Sequence, residues 1–121
     1  MARIMIVDDA GVIRVMLKRY LSNAGHRIVC MASNGFEAVE GYQEHKPDIV
    51  TMDMSMPEMG GISAVKRIIQ IDPGAKIIMI SALDQKDLVI EAIKAGALHY
   101  ILKPINEEKT LSVINEVLNA K

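Results

Sequence analysis

Residues 48–61 read DIVTMDMSMPEMGG, a short apolar run, Ile49-Val50-Thr51-Met52, that delivers a carboxylate, Asp53, into a loop rich in Met, Pro and Gly. An ionised carboxylate at the end of a buried strand gives up hydration that is expensive to replace, so it persists only with partners or with a task. Apolar runs of the same kind recur at residues 4–7, 28–31, 77–80 and 100–102, separated by stretches with helical spacing. Ile13, Met16, Leu17, Tyr20 and Leu21 form one helical face, and Ile62, Val65, Ile68 and Ile69 form another. Gly25 and Gly96 stand where helices end, and Pro47-Asp48 and Pro73-Gly74 punctuate the turns before the third and fourth strands. The pattern predicts an α/β fold: a doubly wound, five-stranded parallel sheet, covered by helices on both faces and connected right-handedly.

Composition narrows the functions open to such a sheet. At 121 residues the chain is one ordinary domain, able to bury about two thirds of the surface its unfolded form exposes. Its single cysteine, Cys30, cannot form an intrachain disulfide or a thiolate metal cluster, which fits a reducing cytoplasm and the role of core filler. The opening residues MARIMIVDD are cut off by two aspartates too soon for a signal peptide or a membrane span. Fourteen basic against fifteen acidic residues give a net charge of −1, so neither direct nucleic-acid binding nor membrane insertion is expected. The nine methionines are expected as packing, and His26, His45 and His99, which lack ligand spacing, as solvated imidazoles.

In a doubly wound sheet, ligands gather at the carboxyl ends of the strands. Asp8 and Asp9 end the first strand, Asp53 the third, Ser81 the fourth and Lys103 the fifth. Three carboxylates that close raise one another's pKa unless something positive shares the site, and a divalent cation does so economically. Hard oxygen ligands without His or Cys favour Mg²⁺, which keeps positions open for water and a phosphoryl group. Asp53 is then a candidate nucleophile, because carboxylates form acyl phosphates. A transferring phosphoryl spreads negative charge over its oxygens, which Lys103 meets with charge and Ser81 with a hydrogen bond. The Lys103-Pro104 bond is free to be cis or trans on sequence alone. Taken singly, Asp9 reads as a helix cap, Asp53 as a turn residue and Lys103 as a solvated surface lysine; their joint position at the strand ends favours the site.

The stretch from 86 to 95 is different. Leu88, Val89, Ile90, Ala92 and Ile93 cover more than half of a helix circumference, more than one core-facing stripe requires. With Tyr100 close by on the fifth strand, Val89 and Ile93 are expected on a partner-binding face, against the alternatives of an overfilled core helix or a dimer contact.

The segments VDDAGVIR, DIVTMDMSMPEMGG, IIMISA and HYILKP, in this order and spacing, resemble the receiver domain of bacterial response regulators, most closely the single-domain chemotaxis regulators. The resemblance covers residues 1–121 as one receiver domain with no output domain. It implies the flavodoxin-like strand order 2-1-3-4-5, for which chemotaxis regulators are a standard example. It further implies that a histidine kinase phosphorylates Asp53; that Asp9, Asp53 and the Ser55 backbone carbonyl bind Mg²⁺, with Asp8 acting through water; and that Lys103 contacts the phosphoryl group. Ser81 stands as the switch hydroxyl, where Thr is commoner, and Tyr100 as the switch aromatic. The expected protein is a cytoplasmic, stoichiometric phosphoacceptor in chemotaxis rather than an enzyme, though it assists its own phosphotransfer and dephosphorylation. Its partners would be the kinase, an output protein such as the flagellar switch, and a phosphatase.

Ser55 and Leu83 occupy positions that govern water access to the acyl phosphate in this family. Familiar chemotaxis regulators carry an amide and an acid there, so the phosphoryl lifetime does not carry over. A phosphorelay intermediate, passing its phosphoryl group to another histidine protein, is the alternative within the family. A phosphohydrolase of the haloacid-dehalogenase type would need a second Asp where Ser55 stands, to act as general acid. A flavodoxin relative would need a Ser/Thr/Gly-rich phosphate loop in place of Asp8-Asp9.

Overall fold

The computed structural model describes residues 1–120; Lys121, the last residue of the expected 1–121 domain, lies outside the described residues. Strands and helices alternate along the chain: β1 (Arg3–Val7), α1 (Gly11–Asn23), β2 (Arg27–Ala32), α2 (Gly35–His45), β3 (Ile49–Asp53), α3 (Gly61–Ile71), β4 (Ile77–Ser81), α4 (Lys86–Ala95), β5 (His99–Leu102) and α5 (Glu107–Asn119). A single 3₁₀ turn, Leu83–Gln85, joins β4 to α4. The strands form one sheet in the order β2-β1-β3-β4-β5, with every pairing parallel, as the resemblance implies.

Successive side chains leave a strand on opposite faces, so each strand feeds two cores. Met5, Val7, Val50, Met52, Ile77 and Met79 meet one helical layer, through Val39 of α2, Val65 and Ile68 of α3 and Ala92 of α4. Ile4, Ile6, Ile49, Ile78, Ile80 and Ile101 meet the other, through Leu17 and Leu21 of α1 and Val113, Ile114 and Val117 of α5. Both predicted helical faces therefore lie against the sheet. The expectation of strands apolar and buried on both sides holds for β3 and β4 throughout and for β1 after Arg3. The edge strands β2 and β5 are only partly covered, because each has a neighbour on one side alone.

Local chemistry fixes where the helices start and stop. The Asn34 side chain caps α2 by accepting the Glu37 N–H at 2.9 Å, while Glu37 reaches back to the Ser33 N–H at 2.8 Å. Asn106 caps α5 through the Lys109 N–H at 2.8 Å. Asp9 does not cap α1: the N-cap is Ala10, with no side-chain cap bond. Gly25 and Gly96 take positive φ values of 88° and 127° after α1 and α4, as expected of helix-ending glycines. Gly61 is required by close approach, since a Cβ there would collide with the Asp53 carbonyl. The start of α3 can thus lie directly against the backbone of the acidic loop.

Seven of the nine methionines pack as expected: Met5, Met52, Met54 and Met79 are buried, Met56 and Met59 lie against the same core, and Met16 lies against the core on the other face. Cys30 also packs against the core, and burial pushes its thiol pKa up. Two of the three imidazoles, those of His26 and His99, correct the expectation of free solvation. His26 Nδ1 accepts the Ala2 N–H at 3.0 Å; His99 donates from Nε2 to Glu116 Oε2 at 2.7 Å and accepts the Tyr100 N–H at Nδ1 at 2.8 Å. The second of these satisfies a backbone donor on an edge strand that lacks a neighbour.

Candidate functional site

Parallel pairing brings the carboxyl ends of β1, β3, β4 and β5 to one edge of the sheet, and with them the residues singled out in the sequence. The register sets Val7 beside Met52, Asp53 beside Ile80, and Ser81 beside Leu102. Past the strand ends the ladder continues: the Met54 N–H donates to the Ile80 carbonyl at 3.1 Å, and the Lys103 N–H to the Ser81 carbonyl at 2.7 Å. The backbones carrying Asp53, Ser81 and Lys103 are thereby tied before any side chain is considered.

Asp8, Asp9 and Asp53 each offer a carboxylate oxygen, and the three oxygens lie within 4.8 Å of one another. Asp53 is 3% exposed, Asp8 is fully buried and Asp9 faces solvent. Lys103 Nζ donates to Asp53 Oδ1 at 3.0 Å, and the peptide bond between Lys103 and Pro104 is cis. Asp8 Oδ1 accepts the Ala10 N–H at 2.9 Å, but its Oδ2 is buried with no partner among the described residues. Arg14, which sequence reasoning passed over, donates from Nη1 to the Asp8 carbonyl at 2.6 Å and pins the turn that presents the acids. Its position one turn into an amphipathic helix gave no signal of that contact.

The electrostatics are those of a pocket short of positive charge. Burial pushes the Asp53 carboxyl up to about 6, even though the Lys103 hydrogen bond pulls it down; the neighbouring Asp8 charge adds to the rise. Burial likewise raises the Asp8 carboxyl, against the Ala10 N–H and Lys103. Desolvation works against the Lys103 ammonium, yet the bond to Asp53 and the fields of Asp8 and Asp9 outweigh it and hold its pKa above the ordinary lysine value. Three hard oxygen donors, from carboxylates of which Asp8 also keeps a buried oxygen without a partner among the described residues, fit a small divalent cation better than any single amine. Ser55 lies two residues beyond Asp53 in the same loop, with its Oγ accepting from Gln85 Nε2 at 2.8 Å.

Ser81 is buried and its Oγ is also without a partner among the described residues. A cavity of about 360 Å³, lined by Ser81, Ala82, Val89, Ile90 and Tyr100, separates this hydroxyl from the α4 surface. Tyr100, 46% exposed, stands at its outer edge and also borders a shallow groove of about 550 Å³ with Ile90, Ile93 and Leu98. An apolar surface lies where the partner face is expected, with one difference in its composition. Val89 is only 9% exposed and turns with Ala92 into the core, three residues on and one helical turn apart, so it forms the groove's floor. Ile90 and Leu98, which the sequence reading left off the face, are exposed beside Ile93 and Tyr100.

The fold that carries these residues has counterparts among known proteins. The sequence profile of the response regulator receiver domain matches residues 4–115. The chain belongs to that family. Among receiver proteins it is 54% identical over 115 residues to the chemotaxis protein CheY of Thermotoga maritima, covering 95% of this chain and 96% of the relative. It is 53% identical over 117 residues to the chemotaxis protein CheY of Bacillus subtilis, covering 97% and 98%. The solved CheX–CheY–BeF₃–Mg²⁺ complex from Borrelia burgdorferi contains a similar receiver, 36% identical with a TM-score of 0.93, covering 98% of this chain and 90% of that one. The chain is thus a CheY-like response regulator receiver of the two-component type, a signalling family. Among the described residues, no helix is long and apolar enough to cross a membrane.

Proposed function

We infer that this receiver takes a phosphoryl group from a histidine kinase onto Asp53, with Mg²⁺, and passes the signal to a protein target through the α4–β5 face. The observation that carries this reading is the buried Asp53 carboxylate, held by Lys103 and flanked by Asp8 and Asp9. With its pKa at about 6, Asp53 is largely ionised at neutral pH and has a carboxylate oxygen ready to attack. Attack on a phosphohistidine forms the Asp53 O–P bond and breaks the P–N bond, returning the electron pair to the leaving imidazole. Lys103 holds an oxygen of the transferred group, and the unpartnered Ser81 hydroxyl is placed to donate to another.

Asp9, Asp53 and the Ser55 carbonyl would hold Mg²⁺, with Asp8 acting through water, and the cation would offset the charge that gathers as the acyl phosphate forms. The protein is consumed and regenerated with its phosphoryl group, so it is a stoichiometric acceptor. Ser55 and Leu83, at the mouth of the site, set how water reaches the acyl phosphate. The high identity to chemotaxis regulators supports a role in chemotaxis, with the flagellar switch as the output target, in the cytoplasm where the kinase's phosphohistidine is presented. The CheX–CheY complex supports a phosphatase as a further partner.

The test is transfer from a kinase. A chemotaxis histidine kinase domain, labelled on its histidine and purified from nucleotide, is mixed with the chain and Mg²⁺. Label moves to the chain within minutes, and a chelator slows transfer at least tenfold. Label that stays on the kinase, or transfer indifferent to the chelator, contradicts the reading.

A further inference from the structure

One side chain joins the two loops that frame the acceptor. Gln85 ends the 3₁₀ turn after β4; its Oε1 accepts the Ala82 N–H at 2.7 Å, and its Nε2 donates to Ser55 Oγ at 2.8 Å. Its own N–H closes the turn on the Ala82 carbonyl at 3.1 Å. Ala82 directly follows Ser81, the buried hydroxyl without a partner, and Ser55 lies two residues past Asp53. The carboxamide thus occupies the backbone donor nearest the switch hydroxyl and ties it across the mouth of the site. The cavity of about 360 Å³ behind Ser81 and Ala82 leaves this segment room to move once the tie is broken.

The chemistry favours breaking it only when a phosphoryl group is present. A bond from a backbone N–H to a neutral carboxamide oxygen is weaker than one to a charged phosphoryl oxygen. We propose that Gln85 is a clasp: it holds the segment after Ser81 to the loop after Asp53 in the unphosphorylated chain and is released when that segment turns to the phosphoryl group. The clasp rests on the reading of Asp53 as the acceptor and adds to it a residue that sets the threshold of response. It stabilises the unswitched state alone, so its loss raises the competent fraction and tightens apparent binding of a phosphoryl mimic by the same factor. For a pair of partly exposed neutral hydrogen bonds that factor is roughly fivefold.

Calorimetric titration of beryllofluoride at saturating Mg²⁺ tests this in wild type, Gln85→Ala, Ser55→Ala and the double variant. Gln85→Ala binds roughly fivefold more tightly, and Ser55→Ala more tightly by a smaller factor. The double variant binds no more tightly than Gln85→Ala, because the Ser55 hydroxyl acts through Gln85. Affinity for Mg²⁺ alone stays at the wild-type value in Gln85→Ala, a separation that a general disturbance of the loops does not produce. Unchanged or weaker beryllofluoride binding in Gln85→Ala, a parallel change in Mg²⁺ affinity, or independent effects that multiply in the double variant would overturn the clasp. If wild type itself takes no beryllofluoride, the acceptor reading falls and the clasp with it; if wild type binds and Gln85→Ala does not differ, the clasp alone is wrong.

Discussion

Asp53→Asn takes up no phosphoryl group from a small acyl-phosphate donor and Mg²⁺, whereas the wild type gains one by intact mass. The substitution keeps the size of the side chain and an oxygen within reach of Lys103, which in the wild type meets Asp53 Oδ1 at 3.0 Å. It removes the anionic oxygen that attacks phosphorus, and a neutral amide is a poor nucleophile. Asp8 does not substitute, because one of its oxygens is committed to the Ala10 N–H and burial raises its pKa. Asp9 lies exposed, and Lys103 donates its hydrogen bond to Asp53 instead. Full loss of labelling is therefore expected, and normal labelling of Asp53→Asn would contradict the assignment.

The same substitution raises stability in the absence of metal. The folded Asp53 carboxyl titrates at about 6, above its ordinary 3.8, so between these values the folded chain binds more protons than the unfolded one. Stability contributed by this group consequently falls as pH rises from about 4 to about 6, and the full penalty, on the order of 3 kcal/mol, persists at neutral pH. Asp53→Asn carries no such penalty but leaves the Lys103 ammonium without its anionic partner, which offsets part of the gain. With a chelator at neutral pH its Tm is about 5 °C higher than the wild type's, and the two converge below about pH 4. Mg²⁺ acts in the opposite sense. It raises the wild-type Tm with concentration, by about 2.7 kcal/mol of added stability at a hundredfold excess over its Kd, and that rise vanishes in Asp9→Ala. Melts followed by circular dichroism read both effects. Equal metal-free melting of wild type and Asp53→Asn, or an undiminished Mg²⁺ response in Asp9→Ala, would mean that the three acids do not share a strained pocket.

The fold was legible because the chain states the same instruction five times: a short apolar run, then helical spacing. All five runs fall within observed strands, and the acids at residues 8, 9 and 53 fall where those strands end. What could not be read depends on contacts that no local pattern encodes. The helix from Lys86 to Ala95 carries apolar residues around most of its girth, so its pattern does not say whether Val89 or Ile90 turns inward; packing against Ala92's neighbours in the core decides it. His99 looked solvated because its partner, Glu116, sits on a helix 17 residues further on. Gln85 carried no signal in the sequence, because its bond to Ser55 spans 30 residues and exists only where two loops meet. Asp9 matched a helix cap in type and position, but the chain enters α1 one residue later, at Ala10.

The central claim is that a phosphoryl group at Asp53 changes the surface formed by α4 and β5 through Ser81. The buried Ser81 hydroxyl, without a partner among the described residues and backed by a cavity that reaches Tyr100, is the feature that supports it. A charged acceptor at Asp53 favours the state in which that hydroxyl donates to it, and the space so vacated admits the Tyr100 ring. The measurement is backbone amide hydrogen exchange with Mg²⁺, with and without beryllofluoride, in wild type and Ser81→Ala. The account predicts that beryllofluoride alters wild-type exchange both around Asp53 and across residues 86–105, and that Ser81→Ala still binds the mimic yet loses most of the change across 86–105. A wild-type change confined to the loops around Asp53, or a full change in Ser81→Ala, would contradict it.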